Sequence, residues 1–191
     1  MQRLLAGIPQ SANALGSPHT PIALAEFADL RCPYCASFAT QALPRIISRF
    51  VRPGHLRLVF RNLDSLRSGS LRAAQMAAAL DNQDHIWQFV ELAYHNQGDE
   101  NSGYVTHSYL RAIAQPIPGV DVTRATREHT TAAVKEQLSQ TASPASRLKL
   151  AATLSFLLSV NDRAPRIPSP SSLESRAFTG PLQKLLTAND G

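Results

Sequence analysis

The feature that most constrains this chain is Cys32-Pro33-Tyr34-Cys35, which holds its only two cysteines. A disulfide framework for a small secreted domain needs more cysteines at wider spacing. A closed zinc site needs four ligands, and none of the six histidines pair at the short spacing such a site uses. A static bridge across so small a ring restrains little chain entropy. What is left is a pair that cycles between dithiol and disulfide.

The flanking sequence suits that chemistry. Pro21 to Ala28, with apolar Ile22, Leu24 and Phe27, reads as a buried strand interrupted by the carboxylate of Glu26. Beyond the cysteines, Leu43, Ile46, Ile47 and Phe50 recur at helical spacing up to Pro53-Gly54, with Pro44 expected to kink the helix. The pair therefore opens a helix, whose unpaired N–H groups and positive dipole end stabilise a thiolate at Cys32. Pro33 fits the first turn, where its missing N–H costs nothing. Cys35 lies on the same face, close enough for a short disulfide. Cys32 is expected to be the exposed attacker and Cys35 the shielded thiol that resolves the mixed disulfide. Tyr34 brings no positive charge, so the thiolate rests on the helix end and on Arg31. A weaker oxidant than a site with histidine at that place is expected. Glu26, six residues before Cys32, is placed to relay a proton when Cys35 attacks; the alternative is an edge strand with Glu26 in solvent.

The remaining sequence bounds the class. A length of 191 residues supports one core without metal or disulfide staples, and 43% hydrophobic with 17% charged residues excludes a disordered chain. The longest apolar stretch, Leu148 to Val160, is interrupted by Lys149, Thr153, Ser155 and Ser159 and is too short to span a bilayer. Met1 to Gln10 shows no leader pattern, which fits a cytosolic chain or a mature form without its leader. The net charge of +5 comes from 16 Arg and 3 Lys against 14 acidic residues. They are scattered, with no basic block, which argues against a nucleic-acid partner.

The order of elements follows. A short strand is expected near Leu4 to Ile8, then the Pro21–Ala28 strand, the helix, and a second strand over His55 to Phe60. Helices fill Ser68 to about Lys149. Ser70 is expected to cap an Ala-rich helix through Leu80, and Asp84 to cap another with Ile86, Phe89, Val90 and Ala93 as its buried stripe and Trp87 packed beside it. A loop over Gln97 to Gly103, a helix from Thr106 to Ala114 and one pattern from Asp121 past Leu138 complete the block. Thr153 to Val160 reads as a strand, Arg163 to Ile167 as a short partner, and Leu173 to Leu186 as a terminal helix broken at Gly180-Pro181 with Thr179 as cap. The class is α/β: a mixed sheet flanked by helices. Residues 1–64 and 150–191 form the core, and residues 65–149 an α-helical insertion over the sheet edge.

The run from Glu26-Phe27-Ala28-Asp29 to Cys32-Pro33-Tyr34-Cys35 resembles DsbA-like thiol-disulfide oxidoreductases of the thioredoxin superfamily, in the branch with an E-F-x-D-x-x-C-P-Y-C pattern. Gly16-Ser17-Pro18, Leu58-Val59-Phe60-Arg61, Asn96-Gln97-Gly98 to Gly103, Thr153 to Leu158 and the terminal helix extend the resemblance. It implies a thioredoxin-like core with a helical insertion, and oxidation, reduction or isomerisation of protein disulfides in a periplasmic or other extracytoplasmic space. It implies no cofactor. The implied partners are reduced or misoxidised substrate proteins, and a membrane quinone-linked reoxidase or a reductase. One departure stands out. The family places a cis Thr-Pro facing the cysteines, where substrate docks; here Thr153 is followed by Leu154, with Lys149 and Ala152 at glycine positions and Pro144 and Pro165 too distant to substitute. A cis bond before a non-proline residue costs roughly 2.5–4 kcal/mol, so a trans peptide and altered docking at Thr153 and Leu154 are expected. Two alternatives stay open: a cytosolic glutaredoxin-type dithiol reductase, since that family also uses Cys-Pro-Tyr-Cys, and a redox-impaired peptide-binding module.

Overall fold

The computed structural model describes residues 2–63, 68–99, 101–147, 150, 153–161, 166–168 and 170–189. The chain starts with a helical turn, α1 (Gln2–Leu5), followed by the two-residue strands β1 (Gln10–Ser11) and β2 (Ala14–Leu15). The strand expected near Leu4 is thus a helix. The Arg52 guanidinium donates to the carbonyls of Leu4 at 2.8 Å and Ala6 at 3.0 Å, a tertiary clamp that no local periodicity reveals.

Strand β3 (Ile22–Ala28) runs parallel to β4 (Arg57–Asn62) and antiparallel to β5 (Ser155–Val160), in a five-stranded sheet of order β1-β2-β4-β3-β5. Strand β3 therefore has neighbours on both sides. Glu26 is paired with Phe60 on one flank and Phe156 on the other, which removes the edge-strand placement. Gly16, just after β2, has φ +111°, and a Cβ there would sit 2.9 Å from the Leu56 carbonyl oxygen and 3.0 Å from Val51. Only glycine meets both demands.

Helix α2 (Pro33–Gln41) ends at Ala42 and restarts as α3 (Leu43–Ile46), followed by a π-helical turn over Ile47–Val51. The break lies just ahead of Pro44, whose missing N–H fits the first turn of a new helix. Phe38 of α2 packs against Phe156 of β5 at 4.8 Å between centroids and Phe178 at 5.0 Å, which fastens the helix carrying the cysteines to the sheet.

Among the described residues, five helices lie between β4 and β5: α4 (Ser68–Asp81), α5 (Ile86–His95), α6 (His107–Ala114), α7 (Val122–Glu128) and α8 (Ala132–Arg147). Thr106 and Asp121 cap α6 and α7 through their side-chain oxygens, accepting from Tyr109 N–H at 3.1 Å and Arg124 N–H at 2.8 Å. Two expected caps are not caps. Ser70 is buried inside α4, and Asp84 turns away with φ +56°, its carboxylate accepting the Ala12 N–H at 3.0 Å. The single pattern from Asp121 is two helices, α7 and α8. Trp87 is fully buried against Phe60 and donates its indole N–H to the Asn13 carbonyl at 3.1 Å.

The last helix, α9 (Ser175–Asn189), continues through Gly180-Pro181 instead of breaking there. Phe178 and Leu182, one turn apart on either side of the proline, are both buried, so packing holds the helix across the missing hydrogen bond. Thr179 is accordingly an interior helical residue, not a cap. Lys149, Ala151, Ala152 and the Arg163–Pro165 part of the short partner strand lie outside the described residues; a bridge between Leu158 and Arg166 is what is described of that pairing. Among the described residues, no helix is long and apolar enough to cross a membrane.

Candidate active site

Cys32 occupies the N-cap of α2 in extended backbone, and Pro33 takes the first turn. The approach is a tight turn: the Cys32 N–H donates to the Asp29 carbonyl at 3.0 Å, and the Asp29 carboxylate accepts the Arg31 N–H at 2.9 Å. Both cysteines are free. Cys32 is 3% exposed and Cys35 fully buried, so the leading cysteine is not the open group its position suggested. The cover comes from distant parts of the chain. Gln97, after α5, donates to the Leu30 carbonyl at 3.0 Å and the Cys32 carbonyl at 3.3 Å, and Thr153 reaches the sulfurs from before β5. The open rim is Pro33 and Tyr34, the latter 70% exposed.

The two sulfurs are electrostatically unlike. The Cys35 thiol donates a hydrogen bond to Cys32, and this bond, with backbone N–H groups of Cys35 and Tyr34 and the Thr153 hydroxyl, outweighs burial and brings the Cys32 pKa down to about 6. Cys35, on the donating side, is pushed well up by that same bond, by burial and by the charge of Glu26. Arg31 adds its aliphatic stem to the packing: it lies so close to Gly69 at the start of α4 that a Cβ there would meet its Cδ at 2.9 Å.

Thr153 sits at the hub. Its hydroxyl oxygen accepts the Asp29 N–H at 3.0 Å and lies 3.1 Å from the Cys35 sulfur. The Thr153–Leu154 peptide is cis, against the trans expectation. The local preference for trans is overridden by tertiary placement: the Thr153 hydroxyl is held between the Asp29 N–H and the Cys35 sulfur, and Leu154 lines a groove. That groove, of about 410 Å³, runs beside the cysteines between Tyr34, Leu154, Phe156, Ile167 and Leu173.

Glu26 lies 2% exposed beneath α2, with one carboxylate oxygen lacking a hydrogen-bond partner among the described residues. Burial, and then the charge of Glu91, raise its pKa to about 8. Sequence reading passed over Glu91, Tyr94 and the contact role of Gln97. The periodicity of α5 predicts a buried stripe of Ile86, Phe89, Val90 and Ala93, yet Glu91 and Tyr94 are buried too. The available signal was a lone acid within Phe89-Val90-Glu91-Leu92-Ala93, one turn beyond Trp87. The Tyr94 hydroxyl donates to the Asp29 carbonyl at 3.3 Å.

Paired thiols at a helix start, over a mixed sheet with a helical block between its strands, define a DsbA-like thiol-disulfide oxidoreductase of the thioredoxin superfamily. A family model described as Thioredoxin matches residues 10–154, and the chain belongs to that family. It is 27% identical over 159 residues to a probable disulfide bond formation protein D of Bacillus cereus, covering 82% of this chain and 74% of that one. It is 29% identical over 103 residues to disulfide bond formation protein D of Bacillus subtilis strain 168, covering 53% of this chain and 46% of that one. In fold it is similar to oxidised BdbD from Bacillus subtilis, with TM-score 0.81, 19% identity, and 94% and 97% of the two chains covered. It is also similar to Wolbachia pipientis α-DsbA1, with TM-score 0.74, 20% identity, and 98% and 96% covered.

Proposed function

We propose that this chain accepts electrons from the cysteines of substrate proteins in an extracytoplasmic space, forming their disulfides, or rearranges those disulfides. Cys32 is the sulfur that bonds to substrate, attacked when the pair is oxidised and attacking when it is reduced, and Cys35 is the resolving thiol. The observation that carries this reading is the asymmetry of the sulfurs, Cys32 with its pKa near 6 and Cys35 pushed well up. A thiolate stabilised at neutral pH favours the reduced pair and so makes the disulfide a better oxidant.

The steps follow from that asymmetry. A substrate thiolate bonds to the Cys32 sulfur of the oxidised pair, the Cys32–Cys35 bond breaks, and the electron pair goes to Cys35. Cys35, poorly stable as an anion, takes a proton from Glu26. A second substrate thiolate then displaces Cys32, which leaves as a thiolate while the substrate disulfide closes. Glu26, with its pKa raised to about 8, gives and takes that proton near neutral pH. The groove bordered by Tyr34 and Leu154 gives an extended substrate segment a place beside the attacked sulfur, with Thr153 and Leu154 as docking residues. Returning the pair to the disulfide needs an electron acceptor, such as a membrane quinone-linked reoxidase. The division into a core of residues 1–64 and 150–191 and an insertion of residues 65–149 belongs to the same reading.

The test has two parts. With Cys35→Ala, a reduced unfolded protein presented with oxidant is trapped on Cys32 as a mixed disulfide on a non-reducing gel. In the unsubstituted protein, the Cys32–Cys35 couple equilibrates with glutathione well above the roughly −270 mV of thioredoxin. No trapped species, or a potential at or below that value, sinks the oxidising role.

A further inference from the structure

Glu91 is buried to 1% exposure, and neither carboxylate oxygen has a hydrogen-bond partner among the described residues. An acid so placed costs stability. Its position is defined by its neighbours on α5. Trp87, one turn before it, packs on Phe60 at 6.1 Å between ring centroids, and Tyr94, one turn after it, reaches the Asp29 carbonyl. Phe60 is the register partner of Glu26, and Asp29 follows the end of the same strand. Helix α5 thus runs along β3 and β4 with Glu91 between its two anchors, on the side of the sheet where Glu26 lies beneath Cys35. The Glu91 charge acts on Glu26, and burial also lifts the Glu91 pKa, to about 7.

The N-terminal ammonium is the opposite charge that acts on Glu91, drawing its pKa down against the effect of burial without cancelling it. Cys35, Glu26, Asp29 and Cys32 all act on Tyr94 as further acids. Arg52 is occupied by the carbonyls of Leu4 and Ala6, and Arg72 of α4 donates to the Val105 carbonyl at 2.9 Å. Arg3, His95, His107 and Arg111 are exposed.

We propose that Glu91 is a positioning residue for the redox centre: from the helical block it faces Glu26 and keeps a proton on it, ready for Cys35. This rests on the exchange reaction proposed above. When the disulfide accepts electrons, the Cys35 sulfur gains the electron pair of the broken bond and the proton of Glu26; the Glu26 carboxylate that results is re-protonated from solvent, favoured by the neighbouring Glu91 charge. In the reverse step the Cys35 sulfur bonds to Cys32, its proton passes to ionised Glu26, and the group attached to Cys32 leaves as a thiolate.

The experiment reads that reverse step. Glutathione is placed on Cys32 as a mixed disulfide, and its single-turnover release is followed from pH 4 to 9. With Glu91→Gln, the inflection due to Glu26 moves down by about one pH unit, because a like charge no longer opposes its ionisation. In a Glu26→Gln background, Glu91→Gln makes no further difference. An unmoved inflection in Glu91→Gln, or an equal shift without Glu26, overturns the proposal. Carbon-13 carboxyl titration of the unsubstituted protein decides the matter without any variant: each of Glu26 and Glu91 carries the other's inflection if they are coupled, and independent single-step curves overturn it. Failure of the unsubstituted protein to release glutathione at any pH removes the exchange reaction itself, and the inference with it.

Discussion

Thr153 shows how much one side chain can hold. Its hydroxyl is the acceptor for the Asp29 N–H at the end of β3 and the neighbour of the Cys35 sulfur, 118 residues away along the chain. Replacing it with valine keeps the shape and removes both interactions. Thr153→Val is expected to cost about 1–3 kcal/mol, the usual penalty for a buried N–H left unpaired. It also raises the Cys32 pKa from about 6, since the hydroxyl is one of the groups favouring the thiolate. Thiolate absorbance against pH, with chemical denaturation alongside, measures both effects. An unchanged Cys32 midpoint would remove Thr153 from the thiolate's support.

At the scale of elements, the cysteines are placed by the junction of β3 with α2, and the junction is held from behind by the packing of Phe38, Phe156 and Phe178. The far end of the same segment depends on Gly16, whose positive φ brings the β2 side against Leu56 and Val51. Gly16→Ala is expected to destabilise the fold by about 1–3 kcal/mol through overpacking and backbone strain, read as a lower denaturant midpoint. Stability equal to the parent would show that the close approach can relax. Cys32 should keep its low pKa in this variant, because the thiolate depends on groups at the opposite end of β3.

The whole molecule carries an unusual load of buried acid. The pKa of Glu26 is raised to about 8, that of Glu91 to about 7 and that of Asp81 to about 7, each chiefly by burial. A carboxyl raised in the folded state contributes stability fully present below its unfolded pKa and lost as pH climbs through the folded value. Cys32 has the opposite sign: lowered from 9.0 to about 6, it contributes above pH 9, and the contribution fades as pH falls through 6. The reduced protein is therefore expected to have a higher Tm at pH 5 than at pH 7, with the thiolate offsetting part of the loss between pH 6 and 8. Glu26→Gln flattens the decline. A Tm that rises from pH 5 to pH 7 would contradict ionisation of these acids within the folded state.

What the sequence determined by itself is local. The Cys-Pro-Tyr-Cys run between an apolar strand and a helical pattern, the helix from Thr106 to Ala114, the buried face of α5 around Phe89 and the mixed sheet are legible, because periodicity acts over a few residues. The caps expected at Ser70, Asp84 and Thr179 are not caps. Only the tertiary structure decided what meets at the cysteines. Thr153 reaches Cys35, Gln97 reaches Cys32, Glu91 faces Glu26, and Asp84 leaves its helix cap for Ala12. It also set the cis peptide at Leu154 and carried α9 through Pro181. Local preferences worth one to a few kcal/mol yield wherever hydrogen bonds and packing from remote segments sum to more.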